Sequence, residues 1–225
     1  CGIHDSNASL LPYVLTRTAP YAVVSTGTWV VVMAMGARPV ELDEARDTLI
    51  NVNALGDPVP SSRFMGGRAF STLGGKSGAL PAEAIADVLK RGAMLLPSMP
   101  EGSGPFPGRK ARWTVSREEL GDDEAQAVIA FHLALMTSTC LDLIGAEGPV
   151  IVEGPFAANR AFLMMLNVAT GRTVLAGGSA TGTSIGAACL AAGRAPEPAL
   201  VTIAQDLPPE AADYAAHWRR LSDKG

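Results

Sequence analysis

An aspartate, Asp5, lies near the start of the chain and is flanked by His4 and Asn7. We expect residues 1–16 to form a strand end, a polar turn and a short apolar segment, which places Asp5 directly after the strand. A carboxylate in that position can take a proton from a substrate as a general base, with His4 orienting it or contacting the substrate. The alternative is an Asx turn, in which the side chain only bonds to its own backbone.

A second candidate site is the segment Thr26-Gly27-Thr28, at the bend between two apolar runs. Backbone N–H groups at a glycine turn can point together at a phosphate, and the two threonine hydroxyls add further donors. The alternative is an ordinary hairpin turn whose hydroxyl groups bond to their own backbone. The residues alone leave both interpretations open.

Glycine-containing segments also follow two apolar runs in the second half of the chain. They contain Gly154, Pro155 and Asn159 in the first case, and Gly177 and Gly178 in the second. Ligands of α/β proteins bind at such passages from a strand into a helix. The Asn159 amide can donate and accept hydrogen bonds in one plane, which suits a ribose or a purine edge, or it caps the helix that follows.

Hydrophobic patterning predicts the elements that position these residues. Apolar runs on either side of a turn predict a buried hairpin over residues 21–36. The predicted helices cover residues 81–91, 122–144, 159–170, 181–192 and 210–221. Ser116 and Glu119 have the spacing of a capping box before the longest helix. The alternation of strands and helices over residues 149–193 predicts a parallel α/β layer.

The composition excludes several classes of protein. Of the 225 residues, 48% are hydrophobic and 18% are charged, which a disordered chain would not have, and the net charge of −4 provides no basic surface for nucleic acid. No apolar run approaches the roughly 18 residues of a membrane span. Cys1, Cys140 and Cys189 form no disulfide or zinc pattern, so we expect a cytoplasmic protein. His132 and His217 lack neighbours that would predict a metal site.

The order of these motifs resembles the C-terminal half of the FGGY carbohydrate kinase family, which includes glycerol kinase, xylulokinase, fuculokinase and rhamnulokinase. The segments that carry the resemblance are residues 2–9, 24–29, 92–97, 150–159 and 180–188. The resemblance implies an α/β fold of the actin-like ATPase (ribonuclease H-like) type, with a mixed sheet flanked by helices. It also implies that residues 1–16 are a stub of the N-terminal sugar-binding domain and residues 17–225 the nucleotide-binding domain.

The resemblance also implies roles for the candidate residues. Asp5 matches the catalytic base of the family, and His4 and Asp5 would contact the substrate. The implied cofactors are ATP and Mg²⁺, with the metal bridging the phosphates. The positions that match the nucleotide-binding segments are Thr26, Gly27, Thr28, Gly154, Pro155 and Asn159, with Gly177 and Gly178 lining the same crevice.

Two residues depart from the usual family pattern. Pro155 stands where a second glycine is common, which removes a backbone donor. Trp29 stands where serine or cysteine is commoner, and together with His4-Asp5-Ser6 it brings the chain closer to fuculokinase and rhamnulokinase than to glycerol kinase. The identity of the sugar does not follow from these residues.

The leading hypothesis is therefore that this chain is the ATP-binding half of a kinase that phosphorylates a sugar or polyol hydroxyl. The expected partners are that substrate and the missing N-terminal domain, without nucleic acid or membrane, and a homodimer is left open. The rival hypothesis is a non-catalytic, actin-like nucleotide-binding module with a regulatory or scaffold role, and a third is a phosphatase of the same superfold. We expect the 225-residue chain alone to have little or no kinase activity.

Overall fold

The computed structural model describes residues 4–178 and 182–224. Its strands are β1 (Tyr21–Thr26), β2 (Val30–Met35), β3 (Thr48–Val52), β4 (Pro58–Phe64), β5 (Leu95–Leu96), β6 (Arg112–Trp113), β7 (Val150–Glu153), β8 (Val174–Gly177) and β9 (Leu200–Thr202). Seven strands form one sheet in the order β3-β4-β2-β1-β7-β8-β9, and β5 pairs separately with β6. In the main sheet β1, β7 and β8 run parallel to one another, and the other pairs are antiparallel.

Helices cover both faces of this mixed sheet. They are α1 (Asp5–Thr16), α2 (Gly66–Thr72), α3 (Ala82–Arg91), α4 (Asp122–Leu143), α5 (Arg160–Thr170), α6 (Gly182–Ala192) and α7 (Glu210–Lys224). Helices α3, α4, α5 and α7 pack together on one side, and α1 packs with α6 on the other. Parallel strands need crossover helices, which is why the β7-α5-β8 segment closes over the sheet.

The first four residues of β1, residues 21–24, are apolar because the sheet is covered on both faces here. Ala22 and Val24 are buried in the larger core, which also contains α4 and α5. Tyr21 and Val23 point the other way and are buried with Leu10 of α1. Because successive side chains of a strand alternate between the two faces, a strand covered on both faces must be apolar throughout. The hairpin predicted over residues 21–36 is confirmed.

Helix α4 is the central helix of the larger core. By length and composition alone it is apolar enough to cross a membrane, but 83% of its most apolar stretch is buried inside the protein. His132 and Cys140 lie on this helix and are fully buried. Burial lowers the pKa of His132 to about 4, so its imidazole is neutral at physiological pH.

Several local predictions are wrong. Residues 5–16 form helix α1 rather than a polar turn and a short apolar segment, with Asp5 in the first turn, where a carboxylate offsets the partial positive charge of a helix start. Ser116 does not open a capping box. Residues Arg117–Glu119 form a short 3₁₀ turn, and the side chain of Glu124 instead accepts a hydrogen bond from the Gly121 N–H at 2.7 Å. The sequence pattern also missed α2 and β9.

Other predictions are confirmed or fall outside the described residues. The helices at 81–91 and 122–144 and the strand-helix alternation after residue 149 are present. The expected strand end at residues 1–3 and Ser179 of the predicted loop lie outside the described residues. Helix α1 packs on α6 and on β1, while the division of the chain after residue 16 stays a prediction.

Candidate functional site

The candidate nucleotide-binding residues meet at one edge of the sheet. Strands β1, β7 and β8 are parallel neighbours, with Ser25 opposite Glu153 and Val152 opposite Ala176. Their carboxyl ends therefore lie side by side, and the segments that follow them form one continuous rim. Parallel α/β sheets bind ligands outside this edge. The separate motifs of the sequence are thus neighbours in the fold.

The hairpin turn contributes fewer free donors than its sequence indicates. The Thr26 hydroxyl donates to the Glu153 carbonyl and accepts a hydrogen bond from the Phe156 N–H at 3.1 Å, so it is committed to the scaffold. The Gly27 N–H donates to the Trp29 carbonyl at 2.9 Å and closes the turn. Thr28 is exposed, and its hydroxyl has no hydrogen bond to any residue that the structure describes. Thr28 is therefore the member of this segment best placed to contact a ligand.

Helix α2 contacts this turn through its backbone. The Arg68 N–H donates to the Thr28 carbonyl at 3.3 Å. A Cβ atom at Gly67 would lie 1.9 Å from the Gly27 carbonyl oxygen, so only glycine permits this approach. The backbone of α2 and that of the turn are thus in direct contact.

Gly154 adopts a conformation that few other residues can. Its φ is +82°, and a Cβ atom there would lie 2.1 Å from the Thr26 carbonyl oxygen. Pro155 follows as the first residue of the 3₁₀ turn Pro155–Ala158. A proline is well tolerated there, because the first N–H of a helical turn has no partner within the turn. Pro155 lacks the backbone N–H that the more usual glycine would have, but the fold does not use a donor at this position.

Asn159 caps helix α5. Its side-chain oxygen accepts a hydrogen bond from the Phe162 N–H at 3.0 Å, which is the alternative that the sequence left open. Capping occupies the oxygen and leaves the amide nitrogen as the group that can contact a ligand. Beyond this cap, a largely apolar cavity of about 240 Å³ opens between α3 and α5, lined by Ile85, Ala86, Arg160 and Met164.

Asp5 and His4 lie at the exposed start of helix α1. The His4 Nδ1 is 2.8 Å from the Ser6 hydroxyl, so it interacts with the helix start rather than with Asp5. The Asp5 carboxylate has no hydrogen bond or ion pair with any residue in the described part of the chain. His4 and Trp29 line the same open cavity of about 350 Å³, so the start of α1 lies next to the hairpin turn.

Glu153 and Tyr13, which the sequence analysis did not select, form a buried pair at the same edge. Glu153 is the last residue of β7 and is 7% exposed, and its carboxylate accepts a hydrogen bond from the Tyr13 hydroxyl of α1. Burial raises the pKa values of both groups, and the hydrogen bond offsets part of the effect at Glu153. The one available signal was an acidic residue ending an otherwise apolar strand.

The described part of the site offers few side chains that could bind a metal ion. Among residues 4–178 and 182–224, no group of three or more His, Cys, Asp or Glu side chains could hold a metal ion. Mg²⁺ in nucleotide sites is usually held by phosphates, waters and one or two carboxylates, so the exposed Asp5 is compatible with it. Gly177 lies in the strand end itself, and Gly178 is exposed just after it.

Comparison with known proteins identifies the family. A profile described as the C-terminal domain of the FGGY carbohydrate kinases matches residues 18–199. The chain belongs to the FGGY carbohydrate kinase family. The mixed sheet flanked by helices is accordingly the actin-like ATPase fold of these kinases. A search of curated proteins found no match to this chain.

Solved structures of FGGY kinases match nearly the whole chain. A carbohydrate kinase from Novosphingobium aromaticivorans is 34% identical, with a TM-score of 0.83, over 98% of this chain and 51% of that one. Xylulose kinase from Rhodospirillum rubrum (18% identity, TM-score 0.69) is covered to 48%, with 99% of this chain aligned. Plasmodium falciparum glycerol kinase with ADP (13% identity, TM-score 0.65) is covered to 50%, also with 99% of this chain aligned. The chain thus spans about half the length of the kinases it matches.

Proposed function

We propose that this chain is the ATP-binding half of a kinase that transfers a phosphoryl group to a sugar or polyol hydroxyl. The observation that carries the proposal is the single rim formed by the hairpin turn, Gly154 and Asn159 in a chain of this family. Phosphoryl transfer depends mainly on positioning and on stabilising the charge of the transferred group. A rim of backbone and small polar groups at the strand ends suits that task.

The residues of the rim suggest how ATP would lie. The exposed Gly27-Thr28 turn and the backbone at Gly154 would face the phosphates, with the Asn159 amide nitrogen toward the nucleoside. The apolar cavity between α3 and α5 is then the place for the base, since aromatic bases bind in apolar clefts. Mg²⁺ would supply neutralisation of the phosphate charge, and the exposed carboxylate of Asp5, at a helix start that lies next to the turn, would be available to it.

Asp5 would act as the general base on the acceptor hydroxyl. Its carboxylate is exposed and uncommitted within the described chain, and the adjacent cavity next to Trp29 can receive a polar acceptor. His4 would contact the acceptor at the same opening. Most acceptor contacts, and the exclusion of water, would come from the rest of the protein, so the isolated chain would have little activity. We further propose that the protein is cytoplasmic, where ATP is available.

The proposal is tested by Asp5→Asn in the full-length protein. ADP release is measured against a panel of pentoses, hexoses and polyols, and the best acceptor is used for kinetics. We expect Asp5→Asn to lower kcat by at least about 100-fold, the typical contribution of a general base, while ATP still binds. Asp87→Asn, an exposed aspartate on α3, is the matched control and should behave as wild type.

Three outcomes contradict the proposal. Asp5→Asn with a wild-type rate would show that Asp5 is not the base. ATP binding without acceptor-dependent turnover in the full-length protein would favour the non-catalytic nucleotide-binding module instead. Release of inorganic phosphate from a sugar phosphate, without ADP formation, would favour a phosphatase.

A further inference from the structure

The buried pair Tyr13–Glu153 is a feature for which the proposed chemistry has no direct use. The Glu153 carboxylate lies beneath helices α1 and α6, and the fold makes room for it. A Cβ atom at Gly177 would lie 2.4 Å from Oε1 of Glu153, and one at Gly182 would lie 2.5 Å from Oε2. Two glycines therefore leave the space in which this carboxylate meets the Tyr13 hydroxyl.

Glu153 also holds the nucleotide edge through its backbone. Its carbonyl oxygen accepts the hydrogen bond of the Thr26 hydroxyl, which in turn accepts the Phe156 N–H. The residue after it is Gly154, whose positive φ shapes the rim. Glu153 is thus bonded to the hairpin turn by its main chain and to helix α1 by its side chain.

Helix α1 carries Asp5 at its first position, eight residues before Tyr13. At 1.5 Å per residue the two lie about 12 Å apart along the axis of one helix, which also contains Pro12, so this helix links the position of Tyr13 to that of Asp5. The Ser9 hydroxyl lies 3.1 Å from that of Thr183, which fixes the same helix against α6. The Tyr13 contact adds a hydrogen bond between α1 and the last residue of β7 to the apolar packing of α1 on β1.

The chemical cost of this pair argues that it does more than fill the core. A buried carboxylate must be desolvated, and apolar side chains of similar volume usually stabilise a core at least as well. A directional hydrogen bond, in contrast, fixes one orientation of the helix relative to the strand. Such a bond is useful where geometry must be held to a fraction of an ångström.

We propose that Tyr13 and Glu153 are positioning residues, whose hydrogen bond holds the helix of Asp5 in register with the nucleotide-binding edge. Neither side chain contacts the reacting atoms. The inference rests on the proposed function, because it assumes that Asp5 and the rim act on the same transferred group. It predicts an effect on the chemical step rather than on ATP binding.

The test is Tyr13→Phe in the full-length protein, assayed with ATP and the best acceptor of the panel. We expect kcat to fall about 10- to 100-fold, as for a misplacement of up to about 1 Å, with the KM for ATP changed less than about twofold. Tyr214→Phe is the matched control. It removes another buried hydroxyl, which donates to the Ala93 carbonyl at 2.7 Å and so joins α7 to the segment after α3. Thermal melting should show a similar loss of stability for both variants.

A second pair of variants covers the case in which Tyr13→Phe does not fold. Glu153→Ala removes the acceptor and should lower kcat as Tyr13→Phe does, whereas Glu153→Gln keeps an acceptor oxygen and should retain most of the rate. Equal kcat values for Glu153→Ala and Glu153→Gln, or for Tyr13→Phe and Tyr214→Phe, would overturn the inference and leave the proposed function standing. Absence of ADP release by wild type with every acceptor would overturn the proposed function, and with it this inference.

Discussion

Gly154→Ala tests directly whether the rim at the strand ends binds the nucleotide. The substitution forces an L-residue into φ +82° and places its Cβ 2.1 Å from the Thr26 carbonyl oxygen, where ordinary contact begins at 3.4 Å. Backbone strain of this kind costs about 1–3 kcal/mol. The contact can be relieved only by separating Gly154 from the hairpin turn by more than about 1 Å, since both partners are backbone.

A second variant separates the effect of backbone strain from the effect of displacing the hairpin turn. Gly171 also has a positive φ, +63°, but no atom lies within 4 Å of its Cβ position, so Gly171→Ala carries strain without a collision. We expect Gly171→Ala to lower stability by about 1 kcal/mol and to leave ATP affinity unchanged. Gly154→Ala should lose more stability and weaken ATP binding about 10- to 100-fold, as expected when a hydrogen bond to a charged phosphate group is lost.

Isothermal titration calorimetry with ATP, next to thermal melting of both variants, gives the two quantities. A folded Gly154→Ala variant that binds ATP as tightly as Gly171→Ala would refute the assignment of this rim as the nucleotide edge. Loss of binding by both variants to the same extent would show that general destabilisation, and not the contact with Thr26, is responsible.

Two further predictions follow from buried groups. The pKa of His132 is about 4 in the folded protein and 6.5 when unfolded, so the unfolded state takes up the proton first and stability should fall by up to about 3 kcal/mol as pH falls from 6.5 to 4. Denaturant unfolding at pH 7.5 and 5.0 should show this loss in wild type and much less of it in His132→Gln; an equal loss in both would exclude His132 as the cause. Gly186→Ala places a Cβ 1.7 Å from the Ala8 carbonyl oxygen and should destabilise the α1–α6 contact by about 1–3 kcal/mol. Thermal melting checks this against Gly78→Ala, where the Cβ meets nothing, and identical melting temperatures would contradict it.

The core of the fold could be predicted because its patterns are strong. Strand β1 is apolar on both faces and is followed by a glycine turn, which defines a buried hairpin without further information. Helix α4 has apolar residues over 22 positions, far beyond the length of a strand. The alternation of strands and helices after residue 149 then requires a parallel layer.

Two of the wrong predictions, those for α1 and β9, concern elements that depend on contacts between distant segments. Residues 5–16 contain consecutive apolar residues that fit a helix or an extended segment equally well, and packing on α6 decides for the helix. The edge strand β9 has only three residues and is recognisable only by its pairing with β8. Ser116 has the spacing of a cap, but its hydroxyl bonds to Glu118 instead.

The candidate site, like the fold, could be predicted only in part. The positions of Gly154 and Asn159 after a buried strand could be recognised in the sequence, and the structure places them on one rim with the hairpin turn. The hydrogen bonds that occupy the Thr26 hydroxyl could not be recognised in the sequence. The Thr26 hydroxyl bonds to Glu153 and Phe156, which are 127 and 130 positions away in the chain. Hydrogen bonds between residues more than 100 positions apart leave no trace in local sequence patterns.

The central place of β1 has a consequence for how this part of the chain can change in length. β1 pairs with β2 on one side and with β7 on the other, and its alternate residues are buried on opposite faces. An inserted or deleted residue within β1 would turn every following side chain of the strand to the wrong face. The turn Asn53 to Asp57, which joins the outer strands β3 and β4, has exposed residues at its tip and carries no such constraint. Length variation, by evolution or by insertion of a tag, should therefore be tolerated at the outer turn and not tolerated within β1.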